Sequence, residues 1–251
     1  MHITVNLLYR DTINFFKQKK LVIFIIIVIA SSITITLDNI FDVNINVLKI
    51  FYELKNNTHY SIFDLIKTLT PHQQKQLLLS SIIKVFSSLI GTTVLIGLLT
   101  IFIKSMSFDK KDFISELKQY NLHIFINLFI LMFVITTIIQ LGLVLLVIPG
   151  IIAFVLLALS PIILILDHKN IIQSIISSIQ ITLQNFTIIC PAIIQWLLSK
   201  FVILIFISDI KIFSESILLF FVNIVTNLIS SILIIYLFRF YMLSSHKQVL
   251  T

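Results

Sequence analysis

The chain has 251 residues, 58% of them apolar and only 12% charged, with a mean hydropathy of +1.09 and a formal net charge of +7. A water-soluble fold has nowhere to hide that much apolar surface, since ordinary domains are roughly 45–50% apolar and about 25% charged. Nucleic acid is excluded as a partner because no basic run exceeds Lys17, Lys19 and Lys20, and phosphate neutralisation needs a denser patch.

Six apolar runs follow one another along the chain, and together they predict an all-α polytopic bundle in one membrane domain covering residues 1–251. The first run, 21–37, carries no charge, and its 17 residues at 1.5 Å each cover most of a roughly 30 Å hydrocarbon core. Its Ala30-Ser31-Ser32 is a poor cleavage signal, so the run is read as retained. A polar stretch of 44 residues, 38–81, separates it from the second run, 82–103. Within that stretch, Thr70-Pro71-His72-Gln73-Gln74 predicts a helix with Thr at the N-cap and Pro at its first position, running straight into the second span.

The third run covers 124–148 and the fourth 151–166, with Pro149-Gly150 between them. This pair is expected to reverse the chain between two antiparallel spans, a re-entrant hairpin being the alternative. Residues 169–186 then place Ile172, Ile175, Ile176, Ile179, Leu183 and Phe186 opposite Gln173, Ser174, Ser177, Gln180 and Gln184. That pattern predicts an amphipathic helix lying at the membrane interface. The fifth and sixth runs are 187–207 and 216–238.

Orientation follows from lysine and arginine, which stay preferentially on the cytoplasmic side. Eleven lie on the side of the two termini and the 104–123 link, and five on the opposite side, four of those in the 38–81 loop. Both termini are therefore expected in the cytoplasm and the 38–81 loop in the periplasm. Cysteine labelling from outside should then reach Ser61→Cys and miss Ser115→Cys.

Chemistry is sparse. Six dispersed histidines and one cysteine, Cys190, supply no metal-ligand spacing, and four glycines supply no phosphate-cradling loop. The reading is a non-enzymatic protein without a cofactor. Ionisable groups at bilayer depth cost at least about 2.5–3.5 kcal/mol each, so they deserve separate weighing. Lys84 is near the end of its run and can snorkel. Lys200 sits seven residues before Ile207, deep enough to line a path or to need a long reach. No acid is expected inside a span. Asn127, Gln140, Gln195, Asn223 and Asn227 are the uncharged candidates, and Asn223, Asn227 and Ser230 fall on one helical stripe, more often interhelical glue than a permeation path. Pro161 should bend the fourth span and leave a carbonyl for neighbours to satisfy. Ser87 and Gly91 form a single small-residue pair suited to close helix approach.

Four segments carry a resemblance: Tyr9-Arg10-Asp11-Thr12-Ile13-Asn14-Phe15-Phe16, Pro71-His72-Gln73-Gln74, Gln140-Leu141-Gly142 running into Ile148-Pro149-Gly150-Ile151-Ile152, and Tyr236-Leu237-Phe238-Arg239-Phe240-Tyr241-Met242-Leu243. In order and spacing the chain resembles the YciC-type family of bacterial inner-membrane proteins, over nearly its whole length. The resemblance implies a multi-pass protein of the Gram-negative inner membrane and carries over no catalytic or binding residues. Many Ala, Gly and Val of the family pattern are Ile, Ser and Phe here, which weakens any argument from tight small-residue packing.

The expectation is thus a six-span bundle acting through contact with the lipid bilayer, a membrane-protein partner or a second copy, for example in envelope maintenance. The alternative is a small-solute or lipid transporter using Lys200 and bends at Pro149 and Pro161.

Overall fold

The computed structural model describes residues 4–41, 70–109, 113, 122–208 and 215–248. Most of the 38–81 loop, with Ser61, and most of the 105–121 link, with Ser115, lie outside the described residues, as do Lys49, Lys55, Lys67, Lys110, Lys111, Lys118 and Lys211. Every regular element among the described residues is helical. In chain order they are α1 (Val5–Gln18), α2 (Lys20–Ile40), α3 (Pro71–Lys104), α4 (Leu122–Leu145), α5 (Val147–Leu157), α6 (Ser160–Asp167), α7 (Ile171–Gln184), α8 (Phe186–Ser208) and α9 (Glu215–Gln248). A five-residue π-helical turn, Ser105–Asp109, extends α3. Six stretches are long and apolar enough to cross a bilayer: Lys20–Ile40, Pro71–Ser107, His123–Leu145, Val147–Asp167, Phe186–Ile203 and Leu218–Ser244. The chain is an all-α multi-pass membrane protein.

The core is built where α2, α3 and α9 meet. Ile23, Ile26, Ile27 and Ala30 of α2, Leu95, Leu99 and Phe102 of α3, and Ile235, Phe238 and Phe240 of α9 are buried together. Gly91 makes the α2–α3 contact tight: a Cβ there would collide with the Thr34 hydroxyl and lie 3.3 Å from the Ala30 carbonyl oxygen. Small-residue packing is therefore used at this crossing, as the Ser87 and Gly91 pair suggested even though the chain has only four glycines, because only a bare backbone lets two helices approach this closely. Thr70 begins α3 as expected, with its Oγ1 accepting from the Gln73 N–H at 3.3 Å and Gln73 Oε1 accepting from the Thr70 N–H at 3.0 Å.

Two amphipathic helices flank this core, and only one was anticipated. Helix α1 buries Leu8, Thr12 and Phe15, spaced at four and three residues, against α9 and the end of α3, while Asp11 and Asn14 stay exposed. The same spacing was present in the sequence, in a segment that lacks the unbroken apolar run of a span.

Helix α7 has the expected character but a different distribution of faces. Ile172, Ile176 and Leu183 point outward, and Gln173, Gln180 and Gln184 form an exposed stripe beside them. Ser174, Ser178 and Thr182, at i, i+4 and i+8, are wholly buried. Ser174 thus corrects the two-faced reading: small hydroxyls form a third face, which lets α7 settle closely on α5 and α6. Ser178 Oγ donates to the Leu156 carbonyl oxygen at 2.7 Å.

That carbonyl lies beside the break expected from Pro161. The fourth span is divided at Ala158 and Leu159 into α5 and α6, with Pro161 in the first turn of α6, where its missing N–H costs nothing. Pro149 and Gly150 depart from expectation. They do not form the turn but occupy the first turn of α5; the reversal is made by one extended residue, Leu146, with φ −159° and ψ 144°. No glycine has positive φ. What the glycines provide is proximity, since a Cβ on Gly142 would lie 2.8 Å from the Cα of Gly150.

Candidate functional site

The site begins from Trp196, the sole tryptophan of the chain, on the α8 face that meets α9. Helix α8 is the least covered span along with α4. It is held to α9 at two levels one and a half turns or more apart: Tyr236 Oη donates to the Ile188 carbonyl at 3.0 Å, and Trp196 Nε1 donates to Ser230 Oγ at 3.3 Å. Phe154 of α5 stacks on the Trp196 ring at 5.0 Å between centroids. Lys200 lies one turn further along α8, and its ammonium sits 4.1 Å from the centroid of the same ring.

The direction of Lys200 is informative. Side chains on a helix lean toward its N-terminus, and Trp196 is the residue four positions back. The ammonium is thereby drawn away from the nearer end of α8, at Ser208, and toward the middle of the span. Snorkelling to the nearer rim is not the geometry adopted. Among the described residues no carboxylate lies within ion-pair distance of it. A cation–π contact away from water, worth about 2 kcal/mol or more, takes the place of an ion pair.

Beside Trp196, a cleft of about 220 Å³ runs between α8 and α9 and ends under α1. Tyr9, Thr12, Gln195, Ser199 and Tyr236 supply its polar lining. Its volume falls short of the roughly 300–1,000 Å³ of a site for a drug-sized ligand. A shallower groove on the outer face of α8 passes Cys190, Pro191 and Gln195.

The other sequence-derived candidates are dispersed. Asn227 is 8% exposed and donates through Nδ2 to Ser31 Oγ of α2 at 2.9 Å. Ser230, on the same stripe, faces α8 instead, and Asn223 is half-buried with its backbone carbonyl accepting from Thr226 Oγ1 at 3.1 Å. Gln140 is exposed on α4, five residues before the Leu145 end of that helix. Asn127 pairs with His123 at 3.2 Å on the same helix. Pro149 and Gly150 lie at the far tip of the hairpin and Pro161 at the inner break, so neither bend contributes to the surroundings of Lys200.

Sequence reasoning missed Trp196, Tyr9 and Tyr236. A lone tryptophan four residues before an intramembrane lysine was a legible signal. The contribution of α1 was not legible, because it depends on how that helix folds back. One expectation is overturned: the first span extends to Ile40, so Asp38 lies in its last turn, 6% exposed, with Oδ1 accepting no hydrogen bond. Further polar contacts gather at the opposite end of the bundle. Tyr241 Oη donates to Asp167 Oδ2 at 2.7 Å, Lys169 pairs with the same oxygen at 2.9 Å, and Arg239 lies over the Phe15 ring, with its Nε 3.5 Å from Asp11. Groups of three or more His, Cys, Asp or Glu able to hold a metal are absent among the described residues.

No solved structure matches the chain. Curated relatives do. A UPF0259 membrane protein of Buchnera aphidicola subsp. Baizongia pistaciae is 46% identical over 243 residues, covering 97% of both chains. One of Pectobacterium carotovorum is 34% identical, covering 97% of this chain and 99% of its own, and one of Photorhabdus laumondii is 32% identical, covering 99% and 98%. With its residues 1–243 also matching the uncharacterised protein family UPF0259 as a whole, the chain belongs to that family of membrane proteins.

Proposed function

We propose that the protein is a non-enzymatic component of the bacterial inner membrane, with both termini in the cytoplasm, that acts through lipid or protein-partner contact in envelope maintenance. The observation that supports this most is where the deep polar groups go. Asn227 bonds to Ser31, Trp196 to Ser230, Tyr236 to the Ile188 backbone and Ser178 to the Leu156 backbone. Each is used to join helices, which is the ordinary use of such groups in a membrane. The cleft beside Trp196 is smaller than the usual site for a drug-sized ligand. Crosslinking in the native membrane, followed by identification of what is captured, tests the reading: lipid or a membrane-protein partner is expected. Strong proton- or sodium-coupled uptake by the purified protein in vesicles would overturn it.

A transporter of small solutes or lipids is the second reading, favoured by the inward ammonium of Lys200 above Trp196. If Lys200→Met and Pro161→Ala left every transport phenotype untouched, that reading would fail.

A further inference from the structure

We propose that the tip of the α4–α5 hairpin is a lipid-docking surface: residues 141–152 turn at the glycerol level of the leaflet away from α7 and are covered there by phospholipid. The inference rests on the hairpin alone and is independent of whether the protein transports anything.

Between Gln140 and Ser160 no side chain can donate or accept a hydrogen bond. At the turn, Val144 is 83% and Leu145 78% uncovered by the rest of the chain, and Leu141, Leu146, Val147 and Ile148 are similarly bare. Turns that face water favour Gly, which takes positive φ, Pro, which presets φ, and Asn, Asp and Ser, whose side chains bond to the turning backbone. The turn at the inner end of this same helix pair obeys that rule, running Asp167-His168-Lys169-Asn170, with His168 in the left-handed region at φ 50°. The four residues at the outer reversal, Val144-Leu145-Leu146-Val147, include none of these types.

Lipid is the occupant that the geometry selects, because the tip continues the uncovered apolar face of a membrane-spanning helix. Ile126, Ile130, Phe133, Leu141 and Val144 lie on one exposed line along α4, spaced three, four or eight residues apart; its polar member, Thr137, turns its hydroxyl back onto the Phe133 carbonyl at 2.8 Å, and Gln140 is exposed beside it just before the turn. Depth follows from length and from the backbone. Helix α4 has 24 residues, about 36 Å at 1.5 Å each, against a hydrocarbon core of roughly 30 Å. The tip therefore passes the far boundary of the hydrocarbon core by about 6 Å, into the glycerol layer.

There the backbone requires polar partners. The last carbonyls of α4 and the first N–H groups of α5 have no helical partner, and hydrocarbon offers none. The hairpin keeps that number small: the Leu146 N–H donates to the Gly142 carbonyl at 3.0 Å, Pro149 has no N–H, and Gly142 against Gly150 leaves no room between the arms. The glycerol and headgroup layer supplies the remaining bonds while accepting the aliphatic side chains on its inner side. A phospholipid of that leaflet satisfies both needs at once.

The test uses single cysteines at Val144→Cys and Val147→Cys in a Cys190→Ser background, with His72→Cys in the exposed first turn of α3 as the water-facing control. A membrane-impermeant maleimide applied to spheroplasts should label the control and react with the tip about tenfold more slowly, since a thiol away from water stays protonated. Bimane attached at residue 144 and reconstituted should be quenched by doxyl phospholipids, more by a shallow label than by one near the chain end. Labelling of the tip at the control rate would place the turn in water and overturn the proposal. Failure of every doxyl lipid to quench, with residue 144 crosslinking to another polypeptide or to a second copy, would show protein in place of lipid and overturn it equally.

Discussion

The crossing of α2, α3 and α9 and the hairpin of α4 and α5 are both drawn together by glycine, yet they treat polar groups in opposite ways. At the crossing, Gly91 admits Thr34, and around it Ser31, Asn227, Thr93 and Ser231 are buried among aliphatic side chains. At the hairpin, Gly142 admits Gly150, and no polar side chain accompanies them. A contact surrounded by protein can hold hydroxyls and amides because partners are fixed nearby. One surrounded by lipid cannot, since any group that loses its partner has no water to turn to.

The largest expected effect breaks the crossing itself. Gly91→Val should cost about 3 kcal/mol by overpacking against Thr34 and the Ala30 carbonyl, read as loss of monodisperse protein on heating in detergent. Gly142→Ala should splay the hairpin by forcing its new Cβ against the Gly150 backbone, at about 2 kcal/mol by the same measurement. If both glycines tolerated alanine, close approach would not be what unites the two regions.

Smaller changes sharpen the polar half of the contrast. Asn227→Leu should lose about 1 kcal/mol, and a double-mutant cycle with Ser31→Ala should return a coupling of about 0.6–1.7 kcal/mol, the range of interhelical hydrogen bonds in membranes. Ser178→Ala should cost about 1 kcal/mol, because the Leu156 carbonyl beside the Pro161 break loses its donor. Lys200→Met should leave thermal stability within about 0.5 kcal/mol, the lost cation–π contact being offset by the removal of a buried charge. A large destabilisation there would mean that Lys200 is structural.

Much of the architecture was readable from the order of residues. Six membrane-spanning stretches, the Thr70 cap and the break before Pro161 depend on local hydropathy, capping and proline chemistry, which act within a short length of chain. The Pro149-Gly150 turn misled for a related reason: the pair signals a reversal, but the adjoining helix absorbed both residues and Leu146 turned instead. The candidate site was half legible. Lys200 was marked by its charge, but the ring beneath it, the cleft next to it and the α1 side chains at its end come from elements far apart in the chain.

Hydrophobicity along the chain, by itself, determined that this polypeptide lives in lipid and how many times it can cross, because the cost of an unpaired backbone in hydrocarbon leaves a helix as the only solution for each run. Only the tertiary structure decided which polar residues face one another: Asn227 toward Ser31, Ser230 toward Trp196, Ser174 and Ser178 inward from α7. A helical stripe fixes spacing along one element. Which neighbour it meets is set by how all the helices share a limited apolar interior.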